Sequence, residues 1–154
     1  LWFMVLNDLL TRQSVFTKLS IKEGDKELPK ELKVKVMRIR MAYAKIKKNF
    51  ETEVQEFMDE LITDEFKELS NKSERTPEES ERLNELSQNL NSEYQVFMTQ
   101  KGQEEVNSLD DHFTDDEYAD ILEVNAGNDV EINGIKIPAV DFLEVVYDLF
   151  VNKE

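Results

Sequence analysis

Residues 30 to 76 contain no Gly and no Pro, and a run of apolar positions inside them falls on one helical stripe. From Leu32 the stripe runs Val36, Ile39, Tyr43, Ile46, Phe50, Val54, Phe57 and Leu61, and after Val36 the spacing alternates between three and four residues. That is a coiled-coil seam, with one added four-residue step from Phe50 to Val54 that locally unwinds a supercoil. Ile62, Phe66 and Leu69 extend the stripe. An unbroken helix of about 40 residues would span roughly 60 Å at 1.5 Å per residue. Pro29 suits its first turn, where a missing N–H costs nothing.

A second long helix is predicted after the polar turn at Ser70 to Thr76. Thr76-Pro77-Glu78-Glu79 combines an N-cap Thr, Pro at the first helical position and Glu at the third, which is a capping box. Leu83, Leu86, Leu90, Tyr94 and Phe97 then repeat an irregular seam, and Gly102 weakens or ends the helix. Two such helices with matching seams should fold back on each other as an antiparallel hairpin.

The flanks are shorter. Leu1 to Leu6 reads as a short strand or a first helical turn. Asn7 or Asp8 is a capping candidate for a helix to Leu19, which Gly24-Asp25 follows as a break. Thr114-Asp115-Asp116-Glu117 is a second capping box. A final amphipathic helix follows Pro138, with Val140, Leu143, Val146, Tyr147 and Phe150 on its stripe. The predicted fold is mainly α: a long antiparallel helical hairpin, short flanking helices and one small β-hairpin. At 154 residues one domain is expected, with an N-terminal segment 1–28, the hairpin 29–106 and a C-terminal cap 110–154.

Asp129 to Gly134 reads D-x-E-x-N-G, the opening of a calcium-binding loop. Calcium needs six to eight oxygens and an acidic side chain at the twelfth position, where this chain has Val140. Asn133-Gly134 is instead the favoured pair for a two-residue hairpin turn. It would set Ile132 opposite Ile135, Glu131 opposite Lys136 and Val130 opposite Ile137. His112, in Asp110-Asp111-His112-Phe113, lacks a second nitrogen ligand and reads as a solvated loop residue. No nucleophile motif or phosphate loop is present, and with zero Cys there is no thiolate chemistry. No catalytic residue, metal site or cofactor is expected.

The net charge of −15 repels nucleic acid and anionic lipid at long range. It is unevenly spread. Residues 26 to 48 hold nine Lys or Arg and two Glu, a net of +7, whereas residues 49 to 70 hold eight acidic residues and Lys67, a net of −7. Cations near a helix N-terminus oppose its dipole, so acidic groups from residues 101 to 123 are expected beside them. The longest apolar run, six residues, is far short of the roughly 20 that cross a bilayer, and no cationic segment precedes it as in a signal peptide. The expected setting is cytoplasmic, in a host cell, or within a virion. A start at Leu1 suggests that a few N-terminal residues are missing.

The layout resembles a group of small helical proteins encoded by tailed phages. The resemblance lies in the stretch LNDLLTRQSVFTKLS, in Leu28-Pro29 opening a long charged helix with Val36, Ile39 and Tyr43, in FTDDEYADILEV and in IPAVDFLEVVYDLF. The Glu-, Ser- and Asn-rich spacer 71–92 departs from it. What the resemblance implies is virion assembly, tail association or host interaction, with no catalytic residue to transfer. The expected function is a non-enzymatic protein-interaction module, an accessory structural or assembly protein. It would bind phage structural proteins or copies of itself through Leu1, Trp2, Phe3, Phe142, Val146 and Phe150. The alternative is an acidic mimic of nucleic acid that blocks a host nuclease or defence system. The two differ in whether carboxylates are regularly spaced on one exposed face.

Overall fold

The computed structural model describes residues 3–151, with only the backbone of Phe3. Its elements in chain order are β1 (Phe3–Val5), α1 (Leu6–Phe16), β2 (Lys22–Glu23), β3 (Lys26–Glu27), α2 (Lys30–Leu61), α3 (Asp64–Asn71), α4 (Pro77–Gly102), β4 (Glu105–Asn107), α5 (Asp115–Asn125), β5 (Val130–Ile132), β6 (Ile135–Ile137) and α6 (Ala139–Phe150). The chain is mainly helical, and the strands among the described residues form three antiparallel pairs: β1 with β4, β2 with β3 and β5 with β6. The residues group into two compact units, one from Leu1–Lys47 with Glu105–Glu154, the other from Lys48–Glu104.

The first unit holds the core. Phe16, fully buried, is its hub: its ring centroid lies 5.3 Å from Phe150 edge-on, 5.5 Å from Tyr43 and 5.8 Å from Phe113. Leu32, Val36, Ile39 and Tyr43, the first four positions of the predicted stripe, are all buried here. They face Leu9, Ile121, Phe142 and Val146 from α1, α5 and α6. Burying such side chains stabilises by about 1.5–3 kcal/mol each.

The second unit contains the predicted hairpin. Phe57 stacks on Phe97 at 4.1 Å and 7°, and Glu53, one turn earlier on α2, pairs with Lys101, one turn later on α4. Four residues down one helix match four up the other, so the helices run antiparallel. The connection differs from the expected one. The stripe through Ile62, Phe66 and Leu69 does not continue α2, which ends at Leu61. Thr63, in extended backbone, accepts a hydrogen bond from the Phe66 N–H at 3.2 Å and starts α3 afresh. Asp64 and Glu65 in its first turn favour that start.

Both predicted capping boxes form, at Thr76 and at Thr114, each with reciprocal side-chain and backbone bonds. α4 ends at Gly102. Helix α1 departs from expectation, because it begins at Leu6 behind Val5 with no side-chain cap, not at Asn7 or Asp8. Its start is fixed instead by β1, whose Phe3, Met4 and Val5 pair with Asn107, Val106 and Glu105. The break at Gly24 is a two-residue hairpin turn, with Gly24 at φ +63° joining Lys22–Glu23 to Lys26–Glu27.

Candidate functional site

Two places concentrate unusual chemistry, one in each unit. In the first unit a carboxylate is buried among aromatic rings. Asp111 is 1 % exposed, although the acidic run around it reads in sequence as a solvated loop. Burying a charge is costly unless it is paired and hydrogen-bonded, and here it is. Arg12 on α1 donates through Nε to Oδ2 at 2.9 Å and through Nη2 to Oδ1 at 2.6 Å. The Tyr43 hydroxyl on α2 donates to Oδ2. The Arg12 guanidinium also lies 4.8 Å above the Phe150 ring, a cation–π contact.

The energetics follow from that enclosure. Burial alone would lower the Arg12 pKa, but the hydrogen bonds and charge of Asp111 more than offset it, so the guanidinium is raised. Burial, aided by the Asp111 carboxylate, pushes the Tyr43 phenol far above its ordinary value of 10.0. His112 sits at the edge of the cluster, half-buried, with Nδ1 3.6 Å from Asp111 Oδ1. The next residue, Phe113, donates its N–H to the Phe150 carbonyl at 2.7 Å, closing the C-terminal end of α6. The cluster ties α1, α2, α6 and the 111–113 loop together. Both Asp111 oxygens are occupied by Arg12 and Tyr43, which makes the cluster a clasp.

The basic half of α2 finds the predicted acidic neighbour in one case. Lys35 Nζ lies 2.9 Å from Glu117 Oε1 and 5.2 Å from the Phe113 ring centre. Asn125, 2 % exposed, holds the chain after α1 by accepting from the Ser20 N–H at 2.8 Å and donating to the Ser20 carbonyl at 3.2 Å.

The calcium-like stretch is the hairpin, in the register that the Asn-Gly pair predicts: Val130 with Ile137, Glu131 with Lys136, Ile132 with Ile135. Asn133 and Gly134 both have positive φ, 52° and 79°. Asp129, which would open a calcium loop, accepts instead from the Ala139 N–H at 3.0 Å, at the start of α6. Among the described residues no three His, Cys, Asp or Glu are grouped to hold a metal ion, and no helix is long and apolar enough to cross a membrane.

The second place is a groove along the hairpin of the second unit. Leu83, Leu86, Leu90, Tyr94 and Phe97 on α4 are each only partly covered, and α4 buries no residue fully. Their spacing predicts the seam between the two helices, and Phe97 meets Phe57 across it. The seam is only half covered, because two helices and the short α3 enclose it on one side. Two adjoining hollows of about 340 and 300 Å³ share Glu93. Phe57, Phe97 and the 56 % exposed Val96 line the first, while Leu61, Phe66, Leu86 and Leu90 line the second. The α4 positions 86, 90, 93, 97 and 100 repeat at three and four residues, so they form one continuous face.

Of the six residues predicted to touch a partner, Leu1 and Trp2 lie outside the described residues, as does the side chain of Phe3. Phe142, Val146 and Phe150 are at most 1 % exposed and belong to the chain's own core. Of the α6 stripe, Leu143, Val146 and Phe150 are buried under α1 and α5, whereas Val140 and Tyr147, expected on it, are exposed because they lie at its edges. The apolar side chains that α6 shows to solvent are Val140, Val145 and Tyr147.

No family model, curated protein or solved structure matches the chain.

Proposed function

We propose that this chain is a non-enzymatic protein-interaction module, an accessory structural or assembly protein of the kind that the tailed-phage resemblance implies. The observation that carries this reading is the half-covered groove. Helices reach a stable arrangement by burying their apolar stripe against another layer, and on α4 a 26-residue helix leaves its entire stripe partly exposed. A helix laid into such a groove by a partner would supply the missing layer. The buried Arg12–Asp111–Tyr43 cluster supports a structural role for the first unit, because both carboxylate oxygens are occupied by residues of that unit.

A photo-crosslinking amino acid at Val96, inside the groove, tests the reading against one at Glu31 on the first unit. In native extract the Val96 probe is expected to form a protein adduct that the Glu31 probe does not. Equal labelling at both positions, or none, would count decisively against it.

A second reading, an acidic mimic of nucleic acid, draws on α6. There Asp141, Glu144 and Asp148 are exposed at steps of three and four residues, one above another. It requires the protein to compete with duplex DNA for a nuclease, and unchanged cleavage at saturating protein would eliminate it.

A further inference from the structure

The solvent face of α2 in the first unit is itself an apolar strip edged with cations. Val34, Met37 and Met41 are 56 %, 49 % and 70 % exposed, and their spacing of three and four residues aligns them. Leu32, Val36, Ile39 and Tyr43 point the other way, into the core. Lys30 and Lys45, four residues before Val34 and after Met41, share the strip's face, and Arg38 borders it. Arg12, Lys33 and Lys35 of this unit are engaged in ion pairs, whereas Lys30, Arg38 and Lys45 have no carboxylate partner among the described residues.

The groove of the second unit is the complement in both length and charge. Its rim carries Glu60 and Glu93, whereas the ion pairs there go to Glu53, Glu65, Glu79, Glu85 and Glu104. Residues 48–104 hold 15 acidic and 6 basic side chains, a net of −9, and residues 26–47 hold 8 basic and 2 acidic, a net of +6. The strip from Lys30 to Lys45 is about 23 Å long, and the groove from Leu86 to Gln100 is about 21 Å at 1.5 Å per residue. Anchors at i, i+3 and i+7 are what a helix presents to a groove. Groove against groove would bring two strongly negative surfaces together, which electrostatics opposes.

We propose that the chain associates head to tail with a second copy of itself, the Val34–Met37–Met41 strip of one copy lying in the Phe57–Leu86–Phe97 groove of the next. Lys30, Arg38 and Lys45 then stand over Glu60 and Glu93. The two surfaces are unlike, so the contact is heterologous and closes into a ring or runs on as a filament. This inference rests on the interaction reading and names its partner.

Charge exchange tests it. In light scattering at low salt the wild type is expected to exceed its single-chain mass of 18.1 kDa and to return to it as salt rises. Arg38→Glu with Lys45→Glu, and separately Glu60→Lys with Glu93→Lys, should each weaken association about tenfold or more, with circular dichroism unchanged. An equimolar mixture of the two variants restores opposite charges at both surfaces and should associate again. Wild-type assembly that neither variant weakens, or a mixture that stays monomeric, would overturn the assigned surfaces. A fluorescent amphipathic helix of Lys and Leu separates the remaining outcomes. A wild type that is monomeric at every salt yet binds this helix at Glu60 and Glu93 overturns self-association and leaves the interaction module standing. A monomer that binds no such helix removes both.

Discussion

Arg12 and Asp111 are 99 residues apart in sequence and meet through two parallel hydrogen bonds of 2.9 and 2.6 Å in the core of the first unit. Asp111→Ala leaves the Arg12 guanidinium without its counter-charge and the Tyr43 hydroxyl without its acceptor. The expected cost is about 3–5 kcal/mol, measured by urea unfolding. Tyr43→Phe removes a single donor and should cost about 1–2 kcal/mol. Equal effects of the two substitutions would mean that the clasp does not depend on the charge pair.

The same cluster sets an alkaline limit. Burial, with the carboxylate of Asp111 beside it, favours the neutral Tyr43 phenol, so its folded pKa is raised. The unfolded chain therefore loses this proton first. The contribution is complete below about pH 10, the unfolded value, and is lost as pH rises towards the folded one. Urea midpoints at stepped pH should fall above that point, and Tyr43→Phe should flatten the fall.

At the acid end Glu117 works in the opposite sense. Partial burial would raise its carboxyl, but the Thr114 N–H and Lys35 outweigh this and hold it below its ordinary value of 4.5. Its stabilising effect is present above pH 4.5 and is lost as pH falls through the lower folded value. The stability gap between wild type and Glu117→Gln should narrow across that window. Thr114→Ala, which removes the other half of the capping box, should cost about 1 kcal/mol at neutral pH.

Gly134, in the hairpin turn, has a matched control in Gly127, in the turn after α5. A Cβ would meet nothing within 4 Å at either position, but only Gly134 has positive φ, +79°. Gly134→Ala should therefore cost about 1–2 kcal/mol through backbone strain alone. Gly127→Ala should be neutral or slightly stabilising, by less than about 1 kcal/mol. Thermal unfolding of the two variants side by side reads the difference.

What sequence could reveal depended on how local the determining contact is. Asn133-Gly134 fixed the hairpin register, and Thr76 and Thr114 fixed two helix starts, because each acts on atoms three or four residues away. The break after Leu61 was hidden, since Ile62, Phe66 and Leu69 continue the apolar period across it while the Thr63 cap is a short polar signal inside it. The pairing of β1 with β4 joins segments about 100 residues apart, and no local pattern in Glu105–Asn107 announces it. Asp111 was hidden for the same reason: the five carboxylates of residues 110–117 look alike, and only the arrival of Arg12 and Tyr43 makes this one interior. The apolar stripe of α6 was legible, but whether its cover comes from this chain or another is set by tertiary packing. The groove lay within the recognised seam residues; its half-open state reflects how few helices surround it, which spacing alone does not express.

The stacked rings of Phe57 and Phe97 give the second unit a built-in reporter. Half-covered side chains stacked face to face would meet a surface laid on the groove directly, without a change in the backbone. A change in occupancy would register first at these two rings, and substitutions that keep the hairpin folded could still silence it.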